Sequence, residues 1–291
     1  MLTDSYEIAS AVDSDLPFTT RVELKETNNE IRERASWIFI QMAKVSCGKR
    51  LLISEDIVKD LAVLFDDSIE KIRSNAYEAM LYLSEQREGC EGVVNAGTLE
   101  ILVDKLISEK TERILVLTLR LIQQLLGVEQ GQVRALNTPI ISRVKKLCES
   151  VSSELRRLSC ELLAAIGFAY PGKKRVIEQG CVGALAELLF DSISEVRASA
   201  LLALACLTIE KTAKVELIEG QYLERIALML DDESLQIRLN AIQLIANVAE
   251  HPLAKLEFQN SLDRLRELLE NDAEIIKRFA DRAINVITWR P

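Results

Sequence analysis

A single histidine, His251, stands in 291 residues. Its scarcity removes the usual general base, the Ser-His and Cys-His nucleophile pairs and any histidine-rich metal site. Aromatic residues make up only 5% of the chain and prolines number five, so strand formers are few and helices have few breakers. No run of 18 apolar residues free of charge occurs, which excludes a membrane-spanning helix. The amino terminus, with Asp4 and Glu7 and no basic stretch, does not read as a secretory signal, and the protein is expected in the cytoplasm. Six cysteines (Cys47, Cys90, Cys148, Cys160, Cys181 and Cys206) show no close C-x-x-C spacing. They read as reduced packing residues rather than metal ligands or reactive thiols. The net charge of −9 opposes binding to nucleic acid or to an anionic membrane, and no basic run offsets it.

What the chain has in abundance is one helical pattern, repeated. In Ser194 to Leu207, Val196 is followed by Ala200, Ala203, Leu204 and Leu207 at +4, +7, +8 and +11, the spacing of one apolar helix face. The same template fits from Ile31, Ile72, Ile114, Leu155, Ile237 and Ile276. Successive anchors lie 41, 42, 41, 41, 41 and 39 residues apart, a period that predicts stacked helical repeats in which each unit buries its apolar face against its neighbours. A basic residue follows the anchor at Arg32, Arg73, Arg156, Arg197, Arg238 and Lys277, with Leu115 breaking the column. It is expected to lay its stem on apolar surface and pair with acids of the preceding linker, a structural role rather than a phosphate ladder.

Two further helices are predicted in each period. Ile57 to Phe65, Leu99 to Leu106, Ile140 to Leu147, Ala184 to Leu189, Tyr222 to Leu230 and Leu262 to Leu269 precede the anchor helices. Short acidic links such as Asp66-Asp67-Ser68, Asp191-Ser192 and Asp231-Asp232-Glu233-Ser234 separate them. Those acids suit the positive helix start that follows and are not catalytic carboxylates. Upstream lies a shorter apolar segment ending in Gly97, Gly180 or Gly220, each expected in the left-handed conformation that ends a helix. At the third such corner Thr138 reads as an N-cap and Pro139 as the first helical residue. Pro252 reads as the terminator of the sixth long helix, with His251 the restricted residue before it. Residues 1–28 carry six acids against two bases and no repeat match, and are expected to be an acidic arm or partial cap; residues 29–291 are expected to form one superhelix.

The glycine corner, acidic linker and Val-Arg anchor, recurring in that order from residue 29 to residue 288, resemble the armadillo repeat more than its HEAT relative, which usually lacks the glycine corner. The resemblance implies an all-α, right-handed solenoid of about six to seven three-helix repeats. It also implies partner binding along the concave face lined by the third helices. On that face the +6 column holds Trp37, Glu78, Arg120, Glu161, Leu202, Gln243 and Arg282, and the +10 column Gln41, Tyr82, Gln124, Ala165, Cys206, Asn247 and Val286. Nuclear import receptors of this fold carry ladders of Trp and Asn in these columns; here only Trp37 and Asn247 remain, at opposite ends, which argues against binding a nuclear-localisation peptide. The candidate binding groove is Trp37, Gln41, Glu78, Tyr82, Arg120 and Gln124, with Gln243 and Asn247 further along. Catalytic, cofactor and metal residues are not expected, nor is a small-molecule substrate.

Glu88-Gly89-Cys90-Glu91-Gly92-Val93-Val94-Asn95-Ala96-Gly97 and Asn247-Val248-Ala249-Glu250-His251-Pro252-Leu253-Ala254-Lys255 are similar to the radial spoke head protein 14 family of motile cilia. That resemblance implies a non-enzymatic structural subunit of the axonemal radial spoke, with other spoke or axonemal proteins as partners and the cilium or flagellum as its location. The competing expectation is a soluble armadillo adaptor, for example a co-chaperone of Hsp70.

Overall fold

The computed structural model describes residues 5–271 and 273–289, the side chains of Ser5, Tyr6, Glu7 and Asn271 excepted. Asp4 and the side chain of Glu7, named above, therefore lie outside the described residues. Every regular element among those described is a helix. Contacts divide the chain into two compact units, 1–143 and 144–291, the division falling inside the helix Ile140–Leu147.

In the first unit the third helices Asn29–Ala43, Glu70–Leu83 and Glu112–Leu125 pack side by side. Their apolar face is the predicted one: Ile72, Ala76, Ala79, Met80 and Leu83 are fully buried, as are Ile114, Thr118, Leu121, Ile122 and Leu125. Ile31, the first anchor, is only half-buried, because the segment before it is shorter than a full repeat. That segment forms the helices Ser5–Val12 and Leu16–Glu23, the second begun by Pro17 near its first position, where a missing N–H costs nothing. Ile8, Val12 and Leu24 are buried, and Arg21 and Lys25 both reach Asp60, at 2.6 and 2.9 Å. Between the third helices come Ser46–Ser54 with Ile57–Val63, and Arg87–Asn95 with Thr98–Ser108. Phe65 stacks on buried Tyr77 with centroids 4.1 Å apart, filling the space between a second and a third helix.

The second unit has third helices Ser153–Phe168, Ser194–Leu207, Leu235–Val248 and Glu274–Thr288, again packed in series. Val196, Ala200, Ala203, Leu204 and Leu207 are all fully buried. Tyr170–Glu178 with Cys181–Glu187, and Lys211–Glu219 with Leu223–Leu228, complete two of its periods. Pro252–Phe258 and Leu262–Asn271 complete the last.

The corners differ from expectation in three places. Gly97 and Gly180 are left-handed, with φ of 79° and 65°, but Gly220 is not. The left-handed residue there is Gln221, φ 61°, because the helix runs one residue further and closes with Gln221 N–H to Ile218 O at 3.1 Å and Tyr222 N–H to Leu217 O at 3.1 Å. Gly220 is needed for room: a Cβ would collide with the Tyr222 ring. Thr138 does not cap Ile140–Leu147; its hydroxyl donates to Ala135 O at 2.7 Å, closing the previous helix, and Pro139 precedes the new one. Pro252 opens a helix instead of ending one. The long helix has already stopped at Val248, and His251 serves as N-cap of Pro252–Phe258, Nδ1 accepting from Leu253 N–H at 3.4 Å.

Candidate protein-binding face

The basic column after the anchors is structural, but its pairing runs the other way from the expected one. Each guanidinium donates to carbonyls of its own preceding linker, as Arg156 does to Ser150 O and Val151 O at 2.9 and 3.0 Å. The carboxylate it meets belongs to the following repeat: Asp67 for Arg32, Glu109 for Arg73, Asp191 for Arg156, Asp232 for Arg197. The reason is reach. A helix-start arginine extends sideways to the next linker, whereas its own linker turns its carbonyls toward it. The Arg156 grip, with the Ile193 N–H, holds Asp191 below the usual carboxylate range. Burial pushes Asp67 upward, but Arg32 and the Ile69 N–H outweigh it, and Asp67 too is lowered.

Six candidate residues lie on successive third helices of the first unit: Trp37 and Gln41 on Asn29–Ala43, Glu78 and Tyr82 on Glu70–Leu83, Arg120 and Gln124 on Glu112–Leu125. Trp37 is half-buried and lines an open depression of about 380 Å³ with Glu30, Glu33, Arg34, Lys71 and Asn75. Asn75 is fully buried; its amide donates to Ser36 Oγ at 3.0 Å, while its Oδ1 has no hydrogen-bond partner. Lys44 joins the first two helices: it donates to Gln41 Oε1 at 3.1 Å and stands 5.2 Å over the Tyr82 ring. Glu78 is met by Arg113 at 3.2 Å, and Arg120 is exposed. Gln124 Oε1 is buried without a hydrogen-bond partner, a polar atom that costs free energy until something donates to it.

Gln243 and Asn247 lie in the second unit on Leu235–Val248. The Asn247 amide donates to Ala205 O at 2.9 Å, tying two adjacent third helices together. Asn240, at +3, does the same to Ala198 O at 2.9 Å.

A hydrogen bond with Cys148, and burial after it, push the Cys160 thiol upward, and burial pushes Cys181 to about 12. Both thiols are protonated at neutral pH and are poor nucleophiles. Among the described residues no group of His, Cys, Asp and Glu is placed to hold a metal, and no helix is long and apolar enough to cross a membrane.

Three features escaped the sequence reading although the 41-residue register contains them. Gly48, Gly89, Gly131 and Gly172 form a column at +17, and a Cβ on any of them would collide with a carbonyl oxygen of the preceding third helix. Lys49, Lys173, Lys214 and Lys255 form a column at +18. Asp56, left-handed at φ 59°, makes the corner that Gly97 makes one repeat later. Tabulating every register position, not only the third helix, would have found the first two.

No known family model matches the chain. Solved structures do. The crystal structure of one engineered protein matches 98% of this chain and 71% of its own length, with TM-score 0.86 and 21% identity. A second engineered protein matches 93% of this chain and 96% of its own length, with TM-score 0.51 and 20% identity. A designed armadillo repeat protein matches 94% of this chain and all of its own, with TM-score 0.54 and 20% identity. At these identities the likeness is one of fold alone: an all-α solenoid of armadillo-like repeats.

Proposed function

We propose that this chain is a non-enzymatic scaffold that holds partner proteins on its third-helix face, principally through Trp37 and Tyr82. The observation that carries the reading is the contrast between columns. The buried positions repeat, whereas +6 and +10 change chemistry in each repeat and, in the first unit, set two half-buried aromatics and one unsatisfied polar atom, Gln124 Oε1, on successive third helices. Aromatics with nearby cations are the usual anchors of protein interfaces.

The finer reading, a structural subunit of the axonemal radial spoke, rests on the resemblance of the two stretches quoted above. Their conspicuous residues also have local structural duties: Gly89 clears a carbonyl, Gly97 turns a corner, His251 and Pro252 start a helix. The test is association with purified axonemes. Retention through high salt supports the spoke reading, and complete release into the soluble fraction removes it. Stimulated nucleotide release from Hsp70 would favour the adaptor. For the scaffold itself, partners identified by co-purification should lose about ten-fold or more in affinity for the Trp37→Ala, Tyr82→Ala double variant. Unchanged affinity removes the face from consideration.

A further inference from the structure

Of the four lysines at +18, two meet a carboxylate and Lys255 donates to Trp289 O at 3.1 Å; Lys173 does neither. Lys49, 6% exposed, donates to Tyr82 O at 2.6 Å and pairs with Glu85 at 2.9 Å. Lys214, 7% exposed, pairs with Glu250. In both cases the carboxylate comes from the residue two positions past the end of the next third helix, 36 residues on. Lys173 is as buried, at 7%. The residue 36 positions on is Ile209, and among the described residues the Lys173 ammonium has no hydrogen bond or ion pair. Its charge partly offsets the burial that raises the Cys206 thiol, so it lies within electrostatic range of Ser194–Leu207. Glu210, next to Ile209, does not pair with it. Its stem is enclosed, and its ammonium lacks the carboxylate that Lys49 and Lys214 meet.

At the register position where Lys49 and Lys214 meet their carboxylates, this pair of repeats is apolar. Ile209 is 63% exposed, and Phe168, at the same register position one repeat earlier, is 81% exposed, with Tyr170 beside it at 66%. In the first unit these positions hold Lys44 and Ser46, Glu85 and Arg87, Gly127 and Glu129. The apolar corner is therefore a property of this pair of repeats and not of the fold. Exposed large apolar groups gathered beside an unpaired charge are the ingredients of a docking site.

We propose that Phe168, Tyr170 and Ile209, with Lys173 among them, form a docking site for a partner-protein segment that presents a carboxylate flanked by apolar side chains. The partner's carboxylate takes the place that Glu85 and Glu250 hold for Lys49 and Lys214. The site belongs to the second unit, whereas Trp37 and Tyr82 belong to the first, and it does not depend on them.

The experiment uses the full chain and a panel of short synthetic peptides with a central Glu flanked by Leu, Ile, Phe or Trp, each matched by its Gln counterpart, with binding read by fluorescence anisotropy. Glu members should bind about ten-fold tighter than Gln members, and Lys173→Met should erase that preference. Ile209→Glu should erase it too, because the carboxylate is then supplied internally, and should raise the melting temperature, whereas Ile209→Gln should not. The Trp37→Ala, Tyr82→Ala variant should keep the preference, which separates this site from the third-helix face. Equal or absent binding of Glu and Gln members, or a preference that survives Lys173→Met, overturns the proposal. Concentration-dependent dimerisation in sedimentation that Phe168→Ser abolishes would replace the partner by a second copy of the chain.

Discussion

Arg156 holds Asp191 of the next repeat by two parallel bonds, Nε to Oδ2 at 2.6 Å and Nη2 to Oδ1 at 3.0 Å, with both side chains largely enclosed. Removing one partner leaves the other charge enclosed without compensation. Arg156→Ala is therefore expected to cost about 2–3 kcal/mol in denaturant unfolding. Arg156→Lys should recover only part, since an ammonium cannot form the paired geometry. The exposed pair Arg113–Glu78, with side chains 57% and 32% exposed, provides the control. Arg113→Ala should cost less than about 1 kcal/mol. Equal losses for the two alanine variants would count against the ladder as a structural device.

The same ladder sets the acid limit of the fold. Asp67, Asp191, Asp232 and Glu109 all have pKa values below their ordinary ones in the folded chain. A depressed folded pKa contributes stability that is fully present above the unfolded value, about 4, and is lost as pH falls through the folded value. The melting temperature should be nearly level from pH 8 to pH 5 with respect to these groups and should drop below about pH 4. Asp191→Asn should start lower at pH 7 and lose less on acidification. A variant whose acid profile parallels the wild type would show that Asp191 is not among the groups responsible.

Gly89 lies where a Cβ would strike the carbonyl of Leu83, a backbone atom that cannot swing aside. Gly89→Ala should destabilise by about 1–3 kcal/mol, the range for overpacking, despite the higher helix propensity of alanine. Ala213 and Ala254 occupy the same register position and are fully buried. Ala213→Gly is expected to cost about 2 kcal/mol, from propensity and a lost methyl, so that position gains nothing from glycine. Thermal melts of the two variants side by side check the contrast; a stabilised Gly89→Ala would mean that this helix tolerates a larger spacing.

How far the chain could be read in advance follows from which interactions are local. Val196 with Ala200, Ala203, Leu204 and Leu207 declares a buried face through spacing alone, so the third helices and their burial were legible. Gly220 was misread because left-handed geometry depends on which carbonyl Tyr222 N–H reaches, and glycine followed by glutamine does not encode that. The Arg156 partner was misassigned for a related reason: its carboxylate stands 35 residues on, in the next linker, and only packing brings the two together. The third-helix columns were legible as positions, but not Lys44 over Tyr82 or the partnerless Asn75 Oδ1, which arise between repeats.

Asn247 matches the position at which import receptors present asparagine to a bound peptide, yet its amide donates to Ala205 O, 42 residues back. A donor occupied in this way stabilises the stack rather than a ligand. Asn247→Ala should therefore lower stability by about 1 kcal/mol, or roughly 2–4 °C for a domain of this size. Asn247→Asp should cost more, because a carboxylate cannot donate and faces a carbonyl oxygen across the same gap. Asn240→Ala, which loses the parallel bond to Ala198 O and leaves Gln236 Nε2 without its acceptor, should behave like Asn247→Ala. Partner affinity measured well below the melting temperature should not follow these losses. A variant of Asn247 that keeps its melting temperature but loses a partner would return the residue to the binding face and displace the structural role argued for it.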